Sequence, residues 1–280
     1  MSTIDYGAAY PRLQVQDTTR DGRITGLEIS VSQQPDDHAR AQLVALLSQT
    51  PDLEYLSLGA SLPTMPEVDF RWALDAIRAL VPHERVFLSG ARMVSIENLS
   101  CGRLGTWNRI THFHGVFANV RILDLRDELV ELHDSVFPDL ETLILRPRHA
   151  AWGVPWARKA ITTVDAFPAI REVRCPENDG DELLAALLES PILERLRCVD
   201  LTDNVTNAGA EQLHAHAERL MNLEELWIGS RDRRRRAERM NPEREYPRGM
   251  LEIDDAWRSR LRGKLGKRLR FKPRPNHPDL

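Results

Sequence analysis

A short pattern of apolar residues recurs along the chain: one apolar position, two variable positions, a second apolar position, one variable position and a third apolar position. Most intervals between successive occurrences are 20 to 30 residues, a period typical of repeat proteins. The last three positions alternate between apolar and variable residues, which predicts a short strand with one buried face. The middle apolar residues, which mark the repeats, are Leu27, Leu56, Val86, Leu123, Leu143, Val173, Val199, Leu226 and Leu269.

Helix-like stretches separate these predicted strands. Apolar residues at three- and four-residue steps predict a helix after Pro66, and a second after Asp179-Gly180-Asp181. A third is predicted after Thr206, a candidate N-cap. A unit of one strand and one helix is too small to bury its own apolar edge, so neighbouring units must stack.

Two segments fit the repeat less well. The region from Met93 to Phe117 is interpreted as an insertion, in which Gly102-Arg103-Leu104-Gly105 forms a turn. The segment from Trp152 to Trp156, which holds Pro155 between two large aromatics, is interpreted as a loop.

The segment from Leu196 to Leu213 resembles a repeat of the ribonuclease-inhibitor-like class of leucine-rich-repeat proteins. Asn204 matches the asparagine that follows the strand in that family, and Gly209-Ala210 matches the small-residue step that opens the helix. The longer, irregular units are similar to those of bacterial members. The resemblance implies an α/β fold, a leucine-rich-repeat solenoid with a curved parallel sheet on the concave face and helices on the convex face. It divides the chain into an N-terminal cap (1–23), the solenoid (24–230), and a basic insertion with a C-terminal capping repeat (231–280).

In such a solenoid the variable positions beside the core residues point outward from the concave sheet. Several are aromatic or arginine, the residue types that dominate the energetics of protein interfaces. The alternative is that loops or the C-terminal tail of the same chain cover them. The predicted partner-binding residues are Tyr55, Arg85, Phe87, Asp124, Arg126, Ile144, Arg146, Glu172, Arg174, Asp200, Glu225 and Trp227.

Charge is distributed unevenly along the 280 residues. The segment from Arg231 onward has 17 Lys and Arg against 8 Asp and Glu, a net charge of +9, whereas the preceding residues carry 21 basic and 34 acidic side chains, a net of −13. A basic patch stands at Arg233, Arg234, Arg235 and Arg236. It is interpreted first as a solvated loop before the capping repeat; contact with nucleic acid or with an acidic protein are the alternatives.

Candidate catalytic and metal-binding groups are sparse. His112 and His114 would share one face of a strand, but no third ligand is fixed by spacing, so no metal and no other cofactor is predicted. Three cysteines without CxxC spacing favour neither a disulfide framework nor a zinc knuckle. The first residues lack the features of a secretory signal, and the apolar runs are short for a membrane span. We therefore expect a cytoplasmic protein.

The leading functional hypothesis is a non-catalytic protein–protein interaction module, such as a scaffold, an inhibitor or an immunity-type protein. It would bind a protein partner on its concave sheet. The alternative is a nucleic-acid-associated protein that works through Arg233 to Arg236 and the terminal helix. A hydrolase or metal enzyme within the Met93–Phe117 insertion is a third hypothesis.

Overall fold

The computed structural model divides the chain into two compact units, Met1–Leu140 (unit 1) and Glu141–Leu280 (unit 2). Within the described ranges, eleven strands pair mostly in parallel, six of them in unit 1 and five in unit 2, and three further strands form a smaller sheet. Helices accompany the strands, so the fold class is α/β. The structure describes residues 6–11, 13–21, 23–31, 36–60, 77, 79–82, 85–90, 95–97, 101–106, 110–126, 129–132, 134–146, 150–175, 180–201, 205–228 and 253–271.

Unit 1 begins with a short helix, a hairpin and a second helix. Its main strands lie in the order β1-β2-β3-β4-β6-β8; β1 is antiparallel to β2, and the others are parallel. The helices are α1 (Tyr6–Ala9) and α2 (Asp37–Ser48). The strands are β1 (Leu13–Arg20), β2 (Arg23–Val31), β3 (Tyr55–Ala60), β4 (Val86–Gly90), β5 (Ser95–Glu97), β6 (Arg103–Thr106), β7 (Ile110–His114), β8 (Ile122–Leu125) and β9 (Leu129–Glu131).

A second, smaller sheet of unit 1 occupies part of the predicted insertion. Its strands lie in the parallel order β5-β7-β9. Phe113, Phe117 and Phe137 are fully buried beside it, and the rings of Phe117 and Phe137 stack with their centroids 4.5 Å apart. Phe113 meets each of the other two rings edge-on at 5.5 Å. Aromatic packing therefore supplies a core here.

Unit 2 follows the predicted alternation of strand and helix closely. Its strands lie in the order β10-β11-β12-β13-β14, and the register pairs show that they are parallel. The strands are β10 (Thr142–Leu145), β11 (Glu172–Arg174), β12 (Cys198–Asp200), β13 (Glu225–Trp227) and β14 (Leu269–Arg270). The helices are α3 (Ala150–Thr162), α4 (Gly180–Glu189), α5 (Asn207–Ala215) and α6 (Asp255–Leu265), with short 3-10 turns at Val164–Ala166, Pro191–Glu194, Ala217–Leu220 and Gly266–Arg268.

The predicted register is confirmed in unit 2. Its five repeat markers, from Leu143 to Leu269, pair directly across neighbouring strands. All five are buried, and the first four are at most 2% exposed. A single row of aliphatic side chains therefore runs under these strands.

In unit 1 the predicted register is correct for β2, β3 and β4 but not for β8. Leu27, Leu56 and Val86 pair in one row, as expected. Leu123, however, shares a row with Leu104 and Leu88, two residues further along the strands. The turn predicted at Gly102-Arg103-Leu104-Gly105 is wrong, because β6 begins within this segment. It is a strand inserted between β4 and β8.

The helices predicted after Asp179-Gly180-Asp181 and after Thr206 are confirmed as α4 and α5. Leu183 and Leu187 of α4 are buried. Thr206 caps α5 by accepting a hydrogen bond from the backbone N–H of Ala208, and Asp254 caps α6 by accepting one from Trp257. Most of the helix predicted after Pro66 lies outside the described residues.

The loop predicted from Trp152 to Trp156 is wrong, because α3 runs through Pro155. Trp156, Ala157, Ala160 and Ile161 form a buried stripe at helical spacing. Burial of this stripe outweighs the hydrogen bond that a proline inside a helix removes.

Polar contacts link successive helices of unit 2. Asp181, at the start of α4, accepts a hydrogen bond from the Thr206 N–H at 2.9 Å and another from the Thr206 hydroxyl. Asn207, at the start of α5, donates to Asp254 at 2.8 Å and accepts from its backbone N–H at 2.9 Å. The starts of α4, α5 and α6 are therefore tied to one another in chain order.

None of the helices in the described part of the chain is both long and apolar enough to cross a membrane.

Candidate recognition surface

The rows of buried aliphatic side chains lie on one face of the strands in each unit. We call the opposite face of the strands the open face. In β3, for example, Leu56 and Leu58 are buried, whereas Tyr55 is exposed and Ser57 is half-buried. The open face of unit 1 has at its centre Tyr55, Phe87, Arg103, Asp124 and Arg126.

Phe87 lies flat along the open face of unit 1. Its ring edge would lie 3.4 Å from a Cβ atom placed on Gly105, which is van der Waals contact, so the ring packs over Gly105. The Arg103 guanidinium lies over the ring, 4.4 Å from its centroid. Phe87 and Arg103 are direct partners across β4 and β6. The result is a cation–π pair fixed on rigid strands.

Asp124 holds the arginines of this face together. Its Oδ2 accepts hydrogen bonds from Arg103 Nη2 at 3.2 Å and from Arg126 Nη2 at 3.4 Å. Only 4% of the Asp124 side chain is exposed, against 44% of the Arg126 side chain. Burial lowers the pKa of Arg103, and the carboxylate of Asp124 opposes that shift. The outermost group of the network is thus Arg126, positioned by a carboxylate beneath it.

Tyr55 and Arg85 flank this network. Tyr55 is 38% exposed, and its partial burial raises the pKa of its phenol. Arg85 is exposed, but its Nη1 donates to the backbone carbonyl of Leu53 at 2.8 Å. Tyr55 therefore offers an aromatic surface to solvent, whereas one end of Arg85 is tethered.

The open face of unit 2 contains two neighbouring rows of side chains. Glu172 accepts a hydrogen bond from Arg174 Nε at 2.5 Å, and Trp227 Nε1 donates to Glu225 at 3.0 Å. The first row consists of Thr142, Glu172, Cys198 and Glu225, and the second of Ile144, Arg174, Asp200, Trp227 and Arg270. The first row has two glutamates, whereas the second has two arginines and one aspartate, so the face has no single sign of charge.

Four predicted partner-binding residues are buried, so the expectation that they reach solvent is wrong for them. Ile144 is 0% exposed; Asp124, Arg174 and Asp200 are at most 9% exposed. Ile144, Arg174 and Asp200 stand side by side across β10, β11 and β12. Directly opposite side chains in a sheet are about 5 Å apart, so such a row excludes water. Glu172, Arg146, Glu225, Phe87 and Trp227 are half-buried.

The sequence did not single out Arg103, although it is central to unit 1. The sequence interpretation assigns its segment, Gly102-Arg103-Leu104-Gly105, to a turn. The available signal was the alternation of Arg103, Leu104, Gly105 and Thr106, in which Leu104 is fully buried.

The cysteines do not form a reactive site. Burial raises the pKa of Cys101 and of Cys175, both of which lie in the core. Partial burial and the nearby carboxylates of Glu225 and Asp200 raise the pKa of Cys198 to about 12. A thiol with so high a pKa is a poor nucleophile at neutral pH.

His112 lies on the smaller sheet of unit 1, where its Nδ1 is 2.8 Å from Glu131 Oε2. His114 is half-buried on the same strand. Within the described ranges, no group of three or more His, Cys, Asp or Glu side chains is arranged to hold a metal ion.

The predicted basic patch at Arg233 to Arg236, and Asn204 of the resembling repeat, lie outside the described residues. Comparison of the chain with protein families, with curated proteins and with solved structures gave no match.

Proposed function

We propose that the chain is a leucine-rich-repeat solenoid that serves as a non-catalytic interaction module, with a protein partner bound on its open, concave face. The observation that carries the proposal is the arrangement of Arg103 over Phe87, with Arg126 and Arg103 bonded to one buried carboxylate, Asp124. Arginine and large aromatics are the residues that most often dominate protein interfaces. Here they are held in place before any partner arrives.

The fixed positions of the arginine side chains support this proposal. Ordering a mobile arginine at an interface costs about 0.5–1.5 kcal/mol, a cost that is reduced when the side chain is already fixed. In unit 2, Trp227 is held in the same way by Glu225. Tyr55 adds an exposed ring at the edge of the unit 1 network.

The balance of charge favours a protein over a nucleic acid on this face. Interfaces for nucleic acid are strongly positive. The open face of unit 2 instead carries Glu172, Asp200 and Glu225 beside its arginines. A protein surface with complementary charges of both signs fits such a pattern.

Affinity capture from an extract of the source cells tests the proposal. Wild-type protein, Tyr55→Ala, Trp227→Ala and the control Met221→Ala serve as baits, with thermal melting used to verify that each variant is folded. Met221 is 47% exposed and lies outside the open face, at the end of a 3-10 turn.

We expect one protein to be captured by the wild type and by Met221→Ala, and to be lost or much reduced with Tyr55→Ala or Trp227→Ala. Equal capture by all four baits would contradict the proposal. Capture that disappears after nuclease treatment would also contradict it, because the binding would then run through nucleic acid.

A further inference from the structure

The last described segment of unit 2 forms a strongly basic surface on α6 and the turn that follows it. From Ala256 to Pro278 the sequence has nine Lys and Arg and no Asp or Glu. Four of these basic residues are exposed on α6 and the following turn. They are Arg260, Arg262, Lys264 and Lys267. We call residues 257–271 the terminal basic surface.

Aromatic rings accompany the arginines of the terminal basic surface. The guanidinium of Arg260 lies 5.0 Å from the centroid of Trp257. Those of Arg258 and Arg262 lie 5.7 and 5.1 Å from the centroid of Phe271. Both rings are half-buried, so part of each reaches solvent. Positive charge and flat π-surfaces are therefore found within one helix and one strand end.

Helix stability explains only part of the positive charge of α6. Cations in the last turn favour the helix dipole, which accounts for Arg262 and Lys264. Arg258 is paired with Asp255, with Nη1 and Oδ1 3.8 Å apart. Arg260 and Lys264, however, are four residues apart, and like charges at that spacing disfavour a helix. A bound anionic ligand would reduce this repulsion between like charges.

The apolar side of α6 is already used inside unit 2, which argues against insertion into a membrane. Leu261 and Leu265 are buried, and the ring of Trp257 meets that of His214 at 5.8 Å. The Asn207–Asp254 hydrogen bonds fix the start of the helix to α5. Membrane-surface helices bind by burying such an apolar side in the lipid. Beyond Asp255, the charged groups left outside on α6 are basic, and the rings of Trp257 and Phe271 lie beside them.

We propose that the terminal basic surface binds single-stranded nucleic acid. Phosphates would contact Arg260, Lys264 and Lys267, and bases would stack on the accessible parts of Trp257 and Phe271. Sequence-tolerant binding of single strands combines these two elements, a positive track for the backbone and aromatic rings for the bases. The proposal is independent of partner binding on the open face.

Fluorescence anisotropy with a labelled 20-nucleotide oligo(dT) and the matching oligo(U) tests this inference on the full chain. The key variant is the triple substitution Arg260→Ser, Lys264→Ser and Lys267→Ser, which alters only exposed side chains. The matched control removes the same charge from exposed sites of unit 1, with Arg20→Ser, Arg23→Ser and Arg40→Ser.

We expect the wild type to bind at about 50 mM salt and to weaken as salt rises, because each phosphate contact releases bound counterions. The triple variant should lose about tenfold or more in affinity, and its log–log salt slope should fall by about 2, since each contact to a single strand contributes about 0.7. Phe271→Leu should weaken binding without changing the slope, because it removes stacking but no charge.

Four outcomes would overturn the proposal. They are no binding by the wild type at about 50 mM salt, an equal loss in the unit 1 control, tighter binding of a duplex of the same length, and binding only to vesicles containing anionic phosphatidylserine.

Discussion

The contact between helices α4 and α5 makes Gly209 a position where a single methyl group should destabilise unit 2. A Cβ atom at Gly209 would overlap Asp181 Oδ1 and lie 2.8 Å from Val205 Cγ1. Asp181 would have to move, and its two hydrogen bonds from Thr206 would be lost. Gly209→Ala therefore breaks the link between successive repeats without removing any atom.

The magnitude follows from these bonds. A hydrogen bond to a charged group contributes about 1.5–3 kcal/mol, and the low end applies here because the site is only partly buried. Two such bonds give about 3 kcal/mol. Alanine is about 1 kcal/mol better than glycine inside a helix, which offsets part of the loss. We expect Gly209→Ala to lower the free energy of unfolding by about 2 kcal/mol.

Gly263 provides a matched control, because it also lies in a helix, and a Cβ atom there would have no neighbour within 4 Å. Gly263→Ala should therefore stabilise the protein by up to about 1 kcal/mol. Urea unfolding of both variants, monitored by circular dichroism, measures the two effects with opposite expected signs.

The double variant Asp181→Ala/Gly209→Ala tests the cause. In the Asp181→Ala background the carboxylate is gone, so the cost of Gly209→Ala should fall below about 1 kcal/mol, with only the Val205 contact remaining. If Gly209→Ala is neutral, or costs the same with and without Asp181, the proposed overlap is refuted.

Three further predictions concern Asp124, the cysteines and Asp254. Asp124→Ala leaves the half-buried Arg103 without its carboxylate, so urea unfolding should show a loss of about 1–3 kcal/mol; a loss below about 0.5 kcal/mol, the ordinary range for a surface substitution, would contradict the network. With Ellman's reagent at about pH 8, Cys101, Cys175 and Cys198 should react slowly in the folded protein and fully in urea, because their pKa values are raised; fast reaction of a folded thiol would contradict this. Hydrogen bonds from Trp257 and Asn207 lower the pKa of Asp254, so its stabilising contribution is complete above the unfolded pKa and is lost as the pH falls through the folded pKa. The stability difference between wild type and Asp254→Ala should therefore be constant from about pH 5 to 7 and shrink below about pH 4; a difference independent of pH would contradict this.

The sequence predicted the unit 2 strands because each of them carries an almost complete apolar triplet. Val173, Val199 and Leu226 stand where the spacing placed them, and the strands pair in that register. Local chemistry likewise located the N-cap Thr206. Both kinds of signal are confined to a few neighbouring residues, which is why the sequence alone carries them.

Features that depend on neighbouring strands were missed. Alternation placed Ile144 and Asp124 on the open face, but it carries no information on how tightly the side chains beside them pack. Gly105 weakened the strand signal of β6, because glycine is uncommon in strands. The Phe87 ring that packs over Gly105 comes from another strand, and the local sequence of β6 does not reveal it. Pro155 suggested a loop, and the buried stripe that keeps α3 helical is a property of tertiary packing.

The claim that the open face receives a protein partner is tested most directly by photo-crosslinking. The photoreactive residue p-benzoylphenylalanine replaces Tyr55 in one protein and Met221 in another, and each is irradiated in an extract of the source cells. We predict a discrete crosslinked protein from position 55 and none from position 221. A product from position 221 alone, or the same product from both positions, would contradict the account.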